Sequence, residues 1–275
     1  MPTLQSWEVS DGLWSRVQPL LPRRDPRSAR PRRFRRRPGG GRKPISPRAI
    51  FAAIVYVLRT GCQWKALPKS FGSASAIHHH FQRWRQEGFF VRLWRAGLAE
   101  YDEMEGIAWE WQSLDGTQGK APLAQEAVGN NPTDRGKKRG TKRSLLVDGR
   151  GAPLSLIVAG ANRHDVKLLA QTLDAIVIRR PKPTKNRPQN LCVDKGYQGR
   201  AADQQMRARG YIPHVPCRAP SQGGHKTQGR ARRWVVERTH SWMNNYRKLR
   251  VRYEKKAANF EALLHLAIAI ICWRM

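Results

Sequence analysis

Two aspartates have the type and setting to do chemistry. Asp115, in "SLDGTQGK", and Asp194, in "CVDKGYQG", each close an apolar run of strand length and each precede a Gly-containing turn. Ligands gather at strand ends in α/β sheets, so neighbouring strands would bring the two carboxylates together. Adjacent carboxylates repel unless a cation lies between them. Mg²⁺ suits the position, because it takes hard oxygen donors and shares its shell with waters and phosphate oxygens. A pair of such ions flanking attacking and leaving oxygens is an arrangement for phosphodiester chemistry. A third acid, Glu237, lies in "RRWVVERTHSWMNNYRKL". Helical spacing puts Val235, Thr239, Trp242, Tyr246 and Leu249 on a buried stripe, and Glu237 opposite them on a ridge with Ser241, Asn244 and Lys248. Glu237 is either a third ligand or one half of a surface ion pair with Arg233, and spacing alone favours the ion pair. Asp148 is accounted for by a hairpin turn and Asp165 by a helix cap.

These acids require a sheet to hold them. "IAWEWQSLDG" reads as a strand ending at Asp115, and "RSLLVDGRGAPLSLIVAG" as a hairpin turning at Asp148-Gly149. "VKLLAQTLDAIV" reads as a helix, and "NLCVD" and "YIPHVP" as short strands. Two helices close the chain, the last of them the apolar "FEALLHLAIAIICW", too short and too polar at Glu261 and His265 for a membrane span. Basic loops, among them NNPTDRGKKRGTKRS, join these elements. The predicted architecture for 106–275 is α/β, a mixed sheet with flanking helices.

Residues 1–105 read as all-helical. Ser10 caps a first helix, Ser46-Pro47 opens a second that ends at Gly61, and Ser73 or Ser75 caps a third with Ile77, Phe81 and Trp84 inward. The outer face of the third carries His78, His79 and Arg83, a pattern of the helix-turn-helix kind. A fourth helix buries Phe90, Leu93, Trp94, Leu98 and Tyr101. Between the first two lies an arm, 23–43, with eleven basic residues and one acid, broken by Pro and Gly.

The 275 residues hold 52 Lys and Arg against 20 Asp and Glu, a formal charge of +32. Such a charge calls for a polyanion, and double-stranded DNA fits better than a membrane. Four scattered Cys, with no CxxC pair, argue against a zinc finger and read as core residues of a cytoplasmic chain, expected to be associated with the nucleoid through its nucleic-acid partner.

Ordered blocks along nearly the whole chain resemble the DDE transposases of bacterial insertion sequences, in the insertion-sequence-five group of the insertion-sequence-four-like superfamily. "GRKPISPRAIFAAIVYVLRTGCQWKALP" and "HHHFQRWRQEG" resemble the N-terminal DNA-binding region of that group. "SLDGTQGKAP", "NPTDRGKKRGTKRSLLVD", "GANRHD", "VDKGYQG" and "RRWVVERTHSWMNNYRKLRVRYE" resemble its catalytic blocks. The resemblance implies a ribonuclease-H-like fold, with Asp115, Asp194 and Glu237 as catalytic carboxylates holding two Mg²⁺ (or Mn²⁺) ions. It implies cleavage at the element's ends, strand transfer into target DNA, and a homodimer or higher assembly. In the family's signature, Arg233 and Glu237 match, Arg230 stands at the Tyr position and Asn244 at the Lys position, with Lys248 one turn on as a substitute. DNA contacts are expected from Arg233, Arg238, Asn244, Lys248, Lys195, Lys137, Lys138 and Arg139, and from His78, His79 and Arg83. The alternatives are a regulator that binds ends without cutting, and a nucleic-acid packing protein.

Overall fold

The computed structural model describes residues 7–22, 44–136, 138–216 and 232–275. The Arg-rich arm, Lys137, Arg230 and Cys217 lie outside them. The N-terminal part is helical; the Ser10 and Ser46 caps form as expected, whereas Ser73 precedes the third helix with no side-chain cap bond. α1 (Asp11–Val17) starts where Ser10 Oγ accepts from Leu13 N at 3.2 Å. α2 (Pro47–Thr60) starts likewise at Ser46 and ends at Gly61, whose φ of 74° suits a residue with no Cβ. Two 3-10 turns lead to α3 (Ala74–Gln86), followed by α4 (Phe89–Met104). The predicted inward residues of α3 and α4 are all buried.

The second part is built on one mixed sheet. Its strands are β1 (Trp111–Lys120), β2 (Gly129–Asn130), β3 (Arg139–Asp148), β4 (Pro153–Gly160), β5 (Gln189–Cys192) and β6 (Tyr211–His214). β3 lies antiparallel between β1 and β4, while β5 and β6 run parallel to β1 on its other side. This is the ribonuclease-H-like order. One face carries α5 (Asp165–Asp174); the opposite face carries α7 (Trp234–Asn244) and α9 (Ala257–Cys272). α6 (Arg200–Ala208) connects β5 to β6. α9 is buried nearly all round, and each of its Leu and Ile side chains contributes about 1.5–3 kcal/mol. α4 lies along it, close enough that a Cβ on Gly97 would stand 3.2 Å from the Ala269 carbonyl. The helical and sheet-bearing parts thus share a core. No helix among the described residues is long and apolar enough to cross a membrane.

Three expectations need correction. β1 does not end at Asp115 but runs five residues further, because β3 continues to pair with it as far as Gly140. Much of the presumed basic loop before Ser144 is the first half of β3, with Lys142 and Arg143 buried. The penultimate helix stops at Asn244, and Lys248 falls on a separate turn, α8 (Arg247–Arg250). The break turns Tyr246 into the interior, where the Arg59 guanidinium sits 4.0 Å over its ring. Within α7 the buried set is therefore Val235, Val236, Thr239, His240 and Met243, with Trp242 half-exposed.

Candidate active site

Strand register brings the first two acids level. Ser113 on β1 pairs with Cys192 on the parallel strand β5, and Asp115 and Asp194 each lie two residues beyond that pair. Asp194 also forms the turn behind it: Oδ1 accepts from Gly196 N at 2.8 Å, which leaves Oδ2 free of that bond. Asp115 shares its sheet face with Ser113, whose hydroxyl donates to the Arg232 carbonyl at 3.1 Å. That bond, with Thr239 Oγ1 donating to Gly151 O at 2.9 Å, seats α7 on this face.

Glu237 therefore projects from the helix that covers Asp115. It is exposed and ion-paired with Arg233 at 2.9 Å, the surface pair its spacing suggests. It still acts on Asp115. Burial, and then the charges of Asp194 and Glu237, push the Asp115 carboxyl up from 3.8 to about 6, against the Gly116 amide and Arg233, which favour ionisation. Asp115 and Asp194 thus lie at the same end of the sheet, while Glu237 stays in its surface pair with Arg233, near enough to act on the Asp115 charge.

Several neighbours were not legible as site residues. Gly116 leaves room for Asp165: a Cβ there would lie 2.2 Å from Asp165 Oδ1, so a larger residue would push that carboxylate aside. Asp165 is the first residue of α5, not its cap; His164 precedes it as the cap residue. Its other oxygen pairs with the buried Lys142 ammonium at 3.0 Å. Tyr197 is buried near Asp165, Asp115 and Asp194, and burial with their charges drives its hydroxyl far above the usual range. On the α7 face, His240 is buried and its imidazole is depressed to about 3, by desolvation and then by Arg143. Neither ring nitrogen has a hydrogen-bond partner among the described residues, although the Asp115 backbone lies near enough to oppose that shift.

The basic residues divide. Lys195, Lys138, Arg139 and His79 are exposed. Arg83 is held loosely by Glu87 at 3.8 Å. Arg238 lies 4.8 Å over both the Trp234 and Trp242 rings and donates to the Arg150 carbonyl. His78 is not free on the outer face of α3, since its ring stands 4.8 Å from that of Trp64. Lys248 is not on the Glu237 ridge: it is 5% exposed, 3.5 Å from Glu254 and bonded to the Cys62 carbonyl. Asn244 accepts from Arg143.

The family described as "Transposase DDE domain" matches residues 110–272, more than half of the chain and all of the region that holds these acids. The chain belongs to the DDE transposase family. The family described as "Putative transposase of IS4/5 family" matches residues 9–94. The chain is 40% identical over 149 residues to the putative transposase for insertion sequence element IS402 of Burkholderia cepacia, covering 53% of this chain and 68% of that one. It is 30% identical over 126 residues to an IS402 uncharacterized 16.2 kDa protein of the same organism, covering 45% and 80%. The Mos1 mariner paired end complex with Mn aligns over 87% of this chain and 81% of that one, at 10% identity and a TM-score of 0.28, a likeness too remote to bear on the site.

Proposed function

We propose that this DDE transposase binds the terminal repeats of an insertion sequence and, at Asp115, Asp194 and Glu237, cuts DNA and joins the freed 3′-OH to a target strand. The observation that carries the reading is Asp115, in a chain of charge +32: a carboxylate whose ionisation is opposed first by burial and further by Asp194 and Glu237 nearby. A donor set of carboxylate oxygens suits a hard divalent cation. Two Mg²⁺ or Mn²⁺ ions bound there would activate water for hydrolysis and neutralise the scissile phosphate. As the side chains stand, no three His, Cys, Asp or Glu among the described residues are grouped to hold an ion. Glu237 joins the other two by turning away from Arg233. An exposed pair at this helical spacing contributes only about 0.3–0.5 kcal/mol, so that exchange costs little.

Each of the chain's own groups then has a task. Asp115 offers its oxygens from β1 and Asp194 from the turn just past β5, and Glu237 closes over them from α7. Arg233, once released, faces the phosphate backbone. Lys195, beside Asp194, and Lys138 and Arg139, at the start of β3, neutralise strand phosphates. His79 and Arg83 do the same from the helical region 1–105, and 106–275 is the catalytic part. Bringing two ends together requires two copies or more.

The deciding assay uses DNA from the flanks of the gene that encodes this chain, with Mg²⁺ or Mn²⁺ or with chelator. Nicking and strand transfer should need metal and should vanish in Asp194→Asn, which keeps its shape and still binds DNA. Unchanged nicking by that variant removes Asp194 from the site. The resting Arg233–Glu237 pair favours a second reading, a regulator that binds ends without cutting. Binding that survives chelation, with no nicking at any metal concentration, selects it.

A further inference from the structure

Arg143 carries a charge that its surroundings do not balance. It lies on β3 opposite Thr117, two residues along β1 from Asp115 and on the same sheet face. Its side chain is buried, and no carboxylate among the described residues pairs with it. Nη1 is buried with no hydrogen-bond partner among the described residues, and Nη2 donates to Asn244 Oδ1 at 3.0 Å. A guanidinium taken out of water without a counter-charge is costly, and an apolar side chain would fill the same space at less cost. The bond from Nη2 has a geometric consequence. A guanidinium only donates, so Asn244 must offer its oxygen and turn its amide nitrogen the other way. Asn244 is seven residues after Glu237, about two helical turns, and so lies on the same side of α7. It is half-buried, and its Nδ2 donates to no described residue.

We propose that Arg143 is a positioning residue: it locks Asn244 so that the amide N–H groups donate to a backbone phosphate of the DNA strand running along the Glu237 ridge. The inference rests on the DNA reading above and assigns to Arg143 no contact of its own with DNA.

The test is the affinity of the full chain for a fluorescein-labelled DNA duplex, by anisotropy in EDTA over a series of salt concentrations. No cleavage occurs there, and any sequence serves, because phosphate contacts do not read bases. Arg143→Met should weaken binding roughly 3- to 10-fold, the effect of one lost hydrogen bond. The slope of log K against log salt should not change, because a neutral amide releases no counterion. Asn244→Leu should do the same, and the double variant should be no worse than either single one. Arg143→Lys, which keeps a donor, should retain most of the affinity. Arg143→Met should melt no lower than the parent, which separates lost affinity from lost fold. A slope smaller by about 0.9 in Arg143→Met would mean that the guanidinium itself meets a phosphate, and overturns the proposal. Additive losses in the double variant, or unchanged affinity in both singles, overturn it as well. Nicking by Asp194→Asn would instead overturn the active-site reading and leave these binding results standing.

Discussion

Asp115→Asn should stabilise the protein when no divalent ion is present. In the folded chain the carboxyl is raised from 3.8 to about 6, chiefly by burial and then by Asp194 and Glu237. A carboxyl raised on folding favours the folded state fully below its unfolded value, and that benefit is lost as pH rises through the folded one. At neutral pH the ionised Asp115 is therefore a liability. At about 1.4 kcal/mol per pH unit, the difference between 3.8 and 6 amounts to roughly 2–3 kcal/mol, the lower figure allowing for the water that reaches this partly buried group. Asparagine has the same outline and no charge. In a chain of this size, a gain of that order raises the melting temperature by several degrees, at about 2–4 °C per kcal/mol.

The assay is thermal unfolding in EDTA at a series of pH values. The advantage of Asp115→Asn should be full at neutral pH, shrink as pH falls through 6 and disappear below 3.8. Added Mn²⁺ should reverse the order, stabilising the parent and leaving the variant unmoved. An Asp115→Asn protein that melts below the parent in EDTA at neutral pH, or by the same margin at every pH, would refute the claim that burial and the neighbouring acids burden this carboxylate. The electrostatic case for a cation site would go with it.

Three further outcomes follow from the packing. Gly116→Ala places a methyl 2.2 Å from Asp165 Oδ1 and should cost about 1–3 kcal/mol in urea unfolding, with nicking reduced as β1 shifts. Lys248→Met leaves the buried Glu254 without its cation, though still bonded to Trp64 Nε1, and should cost about 3–5 kcal/mol while leaving the salt slope of DNA binding unchanged; a reduced slope would return Lys248 to the interface. His240 is neutral in the fold down to about pH 3 but takes a proton near 6.5 when unfolded, so stability should fall as pH drops between those values. His240→Gln should flatten that acid limb in urea midpoints by a few kcal/mol at most.

The sequence was most legible where a short-range rule acts alone. Ser10, Ser46 and Gly61 fix helix ends through their own side chains or lack of one, and the stripes on α2, α3 and α4 follow from a period that packing does not disturb. That Asp115 and Asp194 come to the same end of the sheet was legible because each closes an apolar run that pairs in parallel; their role as ligands is the proposal made above. The misreadings of cations share one cause. In a chain with 52 basic residues every Lys or Arg looks like a DNA contact, yet exposure is set by strand register and helix length, which distant elements decide. "RGTKRS" reads as a solvated loop until β1 and β4 are known to flank it; β3 then presents Lys142 to Asp165 on one face and Arg143 to Asn244 on the other. Lys248 kept helical spacing with Glu237 on paper, because Tyr246 and Leu249 continue an apolar period across a break that only the packing of Tyr246 reveals. Burial, more than charge count, sorts the cations that can meet phosphate from those that cannot. Lys195, Lys138 and Arg139 should each steepen the salt dependence of binding by about 0.9, whereas Lys142, Arg143 and Lys248 should contribute nothing to it. Replacing each of the six with Met and measuring the slope separates the two groups. A slope that falls for the buried set would mean that the resting arrangement of β3 and α8 is not the one that holds DNA.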